Sequence, residues 1–322
     1  MAMPQPGILV PSGVPLDAAG VPAGEACPPP LQWQEVLNAY RSDSEAWELD
    51  RGDRRLIGRT WGQGQPLYLL NGFAATAELN ALLVYLLRDT FRCVVFDTLA
   101  TTRTRASIQQ YADDLMAVAD HHQHAAIGLF ASSVGSQVAL QAALDHPRRI
   151  RGLALQHGFA RRRLSWSERI MAHWYRRSRR PLSSLGWRRR IQELNHGRWF
   201  PPFDNTRFEF LVDSTGQIPL RDLAQKALAI HATDLSGQLS GLDCPVLLIR
   251  TEGQGQQESA GHESLEKLLP QAQTESLHST GLHPYLTHPH RLAKLLKPFF
   301  SPEPVTRLSL IPGHDDRPAS RI

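Results

Sequence analysis

Short apolar runs recur along the chain, and each is followed by a stretch in which apolar residues return every three or four positions. Pro66–Leu70, Cys93–Phe96, Ala126–Phe130, Ile150–Leu155 and Pro245–Ile249 have the length and unbroken apolarity of strands buried on both faces. Glu78–Arg88 places Leu79, Leu82, Leu83, Leu86 and Leu87 on one face of a helix, and Ile108–His121 does the same with Leu115, Met116 and Val118. Gln137–Leu144 reads as a further helix, stopped at the His146-Pro147 step because a residue before proline is pushed out of helical dihedrals. Ala46–Leu49 and Leu56–Trp61 flank the turn residues Arg51-Gly52-Asp53 and predict a hairpin. A helix near Ser264–Leu269, a short strand Glu275–Leu277 and a closing helix His290–Phe299 complete the pattern. Strands alternating with amphipathic helices predict an α/β fold with a mostly parallel sheet covered on both faces. Ligands of such sheets bind at the carboxyl ends of the strands.

The strand pattern stops after Leu155 and resumes only at Pro245, so residues 160–230 are expected to form an insertion in one α/β domain spanning 31–300. With 322 residues, 42% of them hydrophobic, the chain can bury such a core. Residues 1–30, rich in Pro, Gly and Ala, are expected to form a disordered tail, and 301–322 to trail off the domain. The start lacks the basic flank and continuous apolar core of a signal peptide, and no apolar run approaches the roughly 20 residues that span a bilayer. Cys27, Cys93 and Cys244 have neither CxxC nor metal-ligand spacing, so Cys93 and Cys244 are expected as core thiols and the cytoplasm as the compartment.

The chemistry begins at Ala131-Ser132-Ser133-Val134-Gly135, between a predicted strand and a predicted helix. Small residues two before and two after a serine permit the sharp, strained turn of a nucleophile elbow, which leaves the hydroxyl exposed at a helix N-terminus. Ser133 needs a base to take its proton, and His283, on a Gly-flanked loop after the last predicted strand, is suited to that near neutral pH.

Four segments make residues 45–300 resemble the α/β-hydrolase family. Leu69-Leu70-Asn71-Gly72-Phe73-Ala74 is similar to its oxyanion loop, with Asn71 where His is usual, and Val94-Val95-Phe96-Asp97 to the strand ending in Asp, although Thr98–Thr104 has no Gly. Ala131–Gly135 matches the elbow, and Gly281-Leu282-His283 the segment carrying the catalytic histidine. The resemblance implies Ser133 as nucleophile, His283 as base and the backbone N–H groups of Phe73 and Val134 as oxyanion donors. It places the triad acid after Pro245–Ile249, where the family position falls on Gln254. Glu252 and Glu258 share that loop; Glu252, nearest the strand end, is expected as the acid, with Glu258 or a Ser–His dyad assisted by Gln254 left open. The alternative acid position, after Ile150–Leu155, holds His157.

The expected activity is serine-dependent hydrolysis of an ester or thioester through an acyl-enzyme, without metal or cofactor. The insertion corresponds to the family's cap. In it, Trp166, Ile170, Met171, Trp174 and Tyr175 fall on one helical face, Trp199–Phe203 is expected to line an acyl pocket, and eleven arginines lie between Arg161 and Arg190. Those arginines suggest either a solvated surface or a dock for an anionic partner such as acyl carrier protein, coenzyme A or acidic lipid headgroups. Nucleic acid is not expected, since no binding module accompanies the charge. The Asn71–Thr76 segment and the Ala-x-Ser elbow also resemble bacterial acyltransferases that move hydroxyacyl chains from carriers, which gives a transferase as the alternative activity. A non-catalytic binding protein of the same fold is the third reading, prompted by Asn71, Gln254 and the Gly-free loop.

Overall fold

The computed structural model describes residues 32–301 apart from 101–105, 202, 203 and 254. Eight strands form one sheet. They are β1 (Glu45–Asp50), β2 (Arg54–Trp61), β3 (Gln65–Leu70), β4 (Phe91–Ala100), β5 (Ile127–Ser132), β6 (Ile150–Gln156), β7 (Val246–Thr251) and β8 (Gln273–Leu277). Their order across the sheet is β1-β2-β4-β3-β5-β6-β7-β8, with the β1–β2 and β2–β4 pairs antiparallel and all others parallel. The predicted hairpin is therefore β1–β2, extending the parallel sheet at one edge.

The apolar runs are continuous because successive side chains enter two different cores. Tyr68, Leu70, Val94, Leu129, Leu153 and Leu248 face one layer of helices, among them Ile108–His121 and Val134–Asp145. Leu69, Val95, Phe130, Ala154 and Ile249 face the other, formed by Trp33–Asp43, Ala81–Leu87 and Pro289–Phe300. Cys93 is buried as expected, whereas Cys244 is half-buried. The helix Trp33–Asp43 has no counterpart among the predicted elements; its Trp33, Val36, Leu37 and Tyr40 recur at helical spacing and are buried. The predicted helix Glu78–Arg88 starts as a tighter 3-10 turn, Ala77–Asn80.

The insertion is helical: Trp166–Tyr175, Arg188–His196, Thr206–Gly216 and Leu220–Ala232. The first of these corrects the sequence reading. Trp166, Ile170, Met171 and Trp174 are exposed, and the face turned inward carries Ala172, which packs on Ala224 and Ala227 of Leu220–Ala232. Three small residues let the two helices approach closely, and the large apolar residues are left outside.

At the amino end of β2, Arg54 spans to the fully buried Asp114 of Ile108–His121 through Nε–Oδ2 and Nη2–Oδ1 contacts of 2.8 and 3.1 Å. Removing one partner of a buried ion pair strands the other charge. Asp114→Ala is expected to lower stability by about 3–5 kcal/mol in urea unfolding; a loss below about 1 kcal/mol would show that water already compensates Arg54.

Candidate active site

Ser133 links β5 to the helix Val134–Asp145 with φ 51° and ψ −116°, a conformation that side-chain-bearing residues rarely adopt. The strain is held from two sides. Its N–H donates to the Gln156 carbonyl of β6 at 2.9 Å, and its own carbonyl accepts from the Ser136 N–H and hydroxyl. Gly135 meets the requirement for small neighbours: a β-carbon there would come within 2.9 Å of the Leu70 and Asn71 carbonyls. The helix can thus lie against the end of β3.

The loop after β3 runs beside the serine, since a β-carbon on Gly72 would stand 3.7 Å from that of Ser133. Asn71 is used as a brace. Its side chain donates to Asp97 at 2.9 Å and accepts from Asn80 at 2.7 Å, while the Ala77 N–H donates to both Asp97 oxygens at 3.0 Å. Burial pushes the Asp97 carboxyl up, and the Ala77 N–H and the Lys226 charge pull it back. Lys226 enters from the helix Leu220–Ala232 and reaches the Phe73 carbonyl at 3.5 Å; burial lowers its affinity for a proton against the opposing charges of Asp97 and Asp222. Together Asp97 and Lys226 hold both ends of the loop after β3. The N–H groups of Phe73 and Val134 make no hydrogen bond to the described residues, which leaves both donors open.

His283 caps the short helix Pro284–Thr287, its carbonyl accepting from the Leu286 and Thr287 N–H groups at 2.9 Å. Its Nδ1 meets the buried Tyr285 hydroxyl at 2.7 Å. Burial, with the nearby rings of His196 and His157, holds the imidazole well below its ordinary pKa. The structure places Ser133 and His283 at the same sheet edge but forms no hydrogen bond between them. Gln156 joins the two segments instead: its backbone carbonyl holds Ser133, and its side-chain amide donates to the Leu282 carbonyl at 3.0 Å. Sequence reasoning passed over Gln156; its only signal was a polar residue closing an apolar strand.

Glu252 stands elsewhere than expected. It is exposed, and its carboxylate accepts from the Ser279 N–H at 2.7 Å while Tyr285 occupies His283 Nδ1. Glu258 folds back over Gly255 at the start of its own helix, Gln256–Leu268, and Gln254 lies outside the described residues. The neighbouring glycines hold a wedge. The Trp199 indole fills the space between Gly253 (φ 82°) and Gly281 (φ 64°), so strongly that a β-carbon on either glycine would run into it. His196, one turn earlier, packs its ring on His283 at 4.8 Å. Two residues from between β6 and β7 thus pack on the glycines of both loops and on the imidazole, while Glu252 is taken up by Ser279. Trp199 was expected in an acyl pocket and serves as this wedge; Phe200 packs on Phe208 in the core, and Pro202 and Phe203 lie outside the described residues.

His157, at the alternative acid position, has φ 51° and is buried. Gln156 Nε2 lies 3.1 Å from its Nδ1 and Thr251 Oγ1 2.6 Å from its Nε2, an arrangement that assigns the ring proton to Nε2. Burial drops its pKa to about 3. An apolar cavity of about 240 Å³ lies between Phe73 of the loop after β3 and the helices that follow β6, with Leu164, Met171, Tyr175 and Leu223 on its walls. Among the described residues no three His, Cys, Asp or Glu side chains lie close enough together to hold a metal ion, and no helix is long and apolar enough to cross a membrane.

A model of the alpha/beta hydrolase fold matches residues 65–289. A thermophilic esterase from Thermogutta terrifontis superposes with a TM-score of 0.67 at 23% identity over 79% of this chain and 97% of its own. A hydrolase from Pseudomonas aeruginosa superposes at 0.67 with 18% identity over 79% and 98%. An enol-lactonase from Burkholderia xenovorans does so at 0.65 with 18% identity over 79% and 99%. No curated protein sequence matches the chain.

Two measurements check this geometry. Gly253→Ala forces a side chain into both a left-handed backbone and the indole, and is expected to cost about 2 kcal/mol or more in thermal unfolding, relieved in a Trp199→Ala background. His157 stays neutral when folded down to about pH 3 but takes a proton when unfolded below about pH 6.5, so between those limits the unfolded state binds more protons. Stability is therefore expected to fall on acidification from about pH 6.5, and His157→Gln should flatten the slope; an unchanged slope would show that other groups set it.

Proposed function

The chain belongs to the alpha/beta hydrolase fold family, and from that premise we propose that it is a serine-dependent acyl hydrolase with Ser133 as nucleophile. The observation that carries this reading is the strained φ of Ser133 beside two open backbone donors. Nothing in core packing requires a side-chain-bearing residue in that conformation, whereas presenting Oγ above a helix N-terminus does.

In this reading Ser133 Oγ attacks the acyl carbonyl as its proton passes to His283 Nε2. The tetrahedral oxyanion accepts from the Phe73 and Val134 N–H groups. Collapse expels the alcohol or thiol, which takes the proton from His283, and water repeats the sequence on the acyl-enzyme. For Nε2 to be the base, Nδ1 must carry hydrogen and donate to the Tyr285 oxygen. Tyr285 is thus the positioning group in place of Glu252. A phenol is uncharged here, since burial keeps it protonated, so it stabilises the imidazolium less than a carboxylate would. Closure between Ser133 and His283 would come on substrate binding, as catalytic hydrogen bonds are often loose in the free enzyme. The apolar cavity over Phe73 supports an ester with an apolar acyl chain.

A fluorophosphonate probe followed by peptide mapping is expected to mark Ser133; folded wild-type protein without that adduct would leave a binding protein of hydrolase fold. Tyr285→Phe is expected to lower kcat by about tenfold or more while KM moves less than about twofold, because the lost contact acts through the base. Wild-type turnover in that variant would overturn the positioning role. Because burial holds His283 neutral below its ordinary range, kcat/KM should run flat through pH 6.5 and decline only at lower pH.

A further inference from the structure

Exposed large apolar side chains are concentrated in one region of the described surface. Seven of the nine belong to the cap: Trp166, Ile170, Met171 and Trp174 on the helix Trp166–Tyr175, with Trp187, Ile191 and Leu194 on or beside Arg188–His196. Trp166 and Trp174 are 76% and 80% exposed. Trp166, Ile170 and Trp174 are four residues apart in succession, so they form one stripe along their helix. Trp187, Ile191 and Leu194 form a second stripe at spacings of four and three. Surfaces of this kind on a soluble domain mark contact sites.

The segment that carries the stripes is strongly positive, with Glu168 and Glu193 as its acidic residues. Between Arg161 and Arg190 the chain carries eleven arginines and one carboxylate, Glu168. Some are used internally: Arg161 pairs with Asp234, Arg189 with Glu193 and Glu209, and the Arg188 guanidinium is buried against the Val212 carbonyl. Arg169, Arg176, Arg177, Arg179 and Arg180 have no carboxylate partner among the described residues. Met171, exposed on the first helix, and Trp187, at the start of the second stripe, also line the apolar cavity that reaches Phe73. The cavity therefore has an exposed apolar residue from each element on its wall.

We propose that this cap face docks on an anionic lipid surface, with the tryptophans seated at headgroup depth, the arginines on the phosphates, and the cavity receiving an acyl chain from the layer. An acidic protein is the rival occupant, since protein interfaces also bury indoles and pair arginines, and it is an outcome of the test below. A lipid surface takes both, because indole settles at the boundary between headgroup and hydrocarbon while arginine pairs with phosphate. The docking itself stands on the surface alone; the entry of an acyl chain toward Phe73 rests on the serine-hydrolase reading.

The test is co-sedimentation of the full chain with vesicles of equal parts phosphatidylcholine and phosphatidylglycerol, compared with phosphatidylcholine alone. The wild type is expected to bind the anionic vesicles, and to be largely released in 1 M salt, where the screening length is about 3 Å. Trp166→Ser combined with Trp174→Ser is expected to weaken the partition about tenfold or more. Arg176→Glu combined with Arg177→Glu should weaken it by about fivefold per position or more. Both double variants should turn over a short soluble ester at the wild-type rate, which shows that the fold and Ser133 site are intact. Equal recovery with both vesicle types, or wild-type binding by the tryptophan variant, would overturn the proposal. So would failure to bind vesicles alongside salt-sensitive binding of an acidic carrier protein. Absence of ester turnover in the wild type would count against the serine-hydrolase reading and leave the vesicle result to stand or fall separately.

Discussion

The site depends on one residue that carries no chemistry of its own. Gln156 closes β6, and the two segments of the candidate site hang from it: the Ser133 N–H on its carbonyl and the histidine loop on its side-chain amide. Gln156 is fully buried, and a buried amide that loses its partner costs more than the bond itself contributes. The strained backbone of Ser133 persists only while its surroundings over-determine it. Register does the rest. Parallel pairing of β5 with β6 sets Ser132 opposite Gln156, so the next residue along β5 turns where that carbonyl waits.

The cap works on the same edge from above. Lys226 fastens the loop after β3, Trp199 packs against Gly253 of the β7 loop and Gly281 of the histidine loop, and His196 covers the imidazole. These contacts explain why His283 sits in a medium that disfavours its charged form and why its Nδ1 turns to Tyr285. The β7-loop carboxylate of Glu252 is engaged by the Ser279 N–H instead. A phenol two residues along the chain from His283 reaches Nδ1 directly, because the first turn of Pro284–Thr287 delivers it.

The departures from the family pattern fit the same geometry. Asn71, in place of the usual histidine, donates to both the Phe96 carbonyl and Asp97 and accepts from Asn80, three bonds where a neutral imidazole offers one donor and one acceptor. The outward stripe of the cap is likewise a consequence of packing: where Ala172 meets Ala224 and Ala227, the backbones approach too closely for tryptophan to turn inward.

Much of the fold was legible along the chain because strand and helix periods are local properties. The alternation that sends Tyr68 and Leu70 into one core and Leu69 into the other can be seen in five residues, and so can the small neighbours that let Ser133 turn. The helix Val134–Asp145 began three residues before its apolar pattern did, because the elbow itself is its first turn. Contacts between residues far apart in sequence leave no such period. Nothing near Glu252 signals that Trp199, more than fifty residues earlier, packs on the next residue, Gly253, and on Gly281, and nothing near Trp166 signals that its helix is held by an alanine. The sequence alone therefore determined which strands exist, which serine turns sharply and which loop carries the histidine. Only the tertiary structure decided what the histidine touches and which face of the cap meets solvent, because those outcomes follow from which side chain fills each space first.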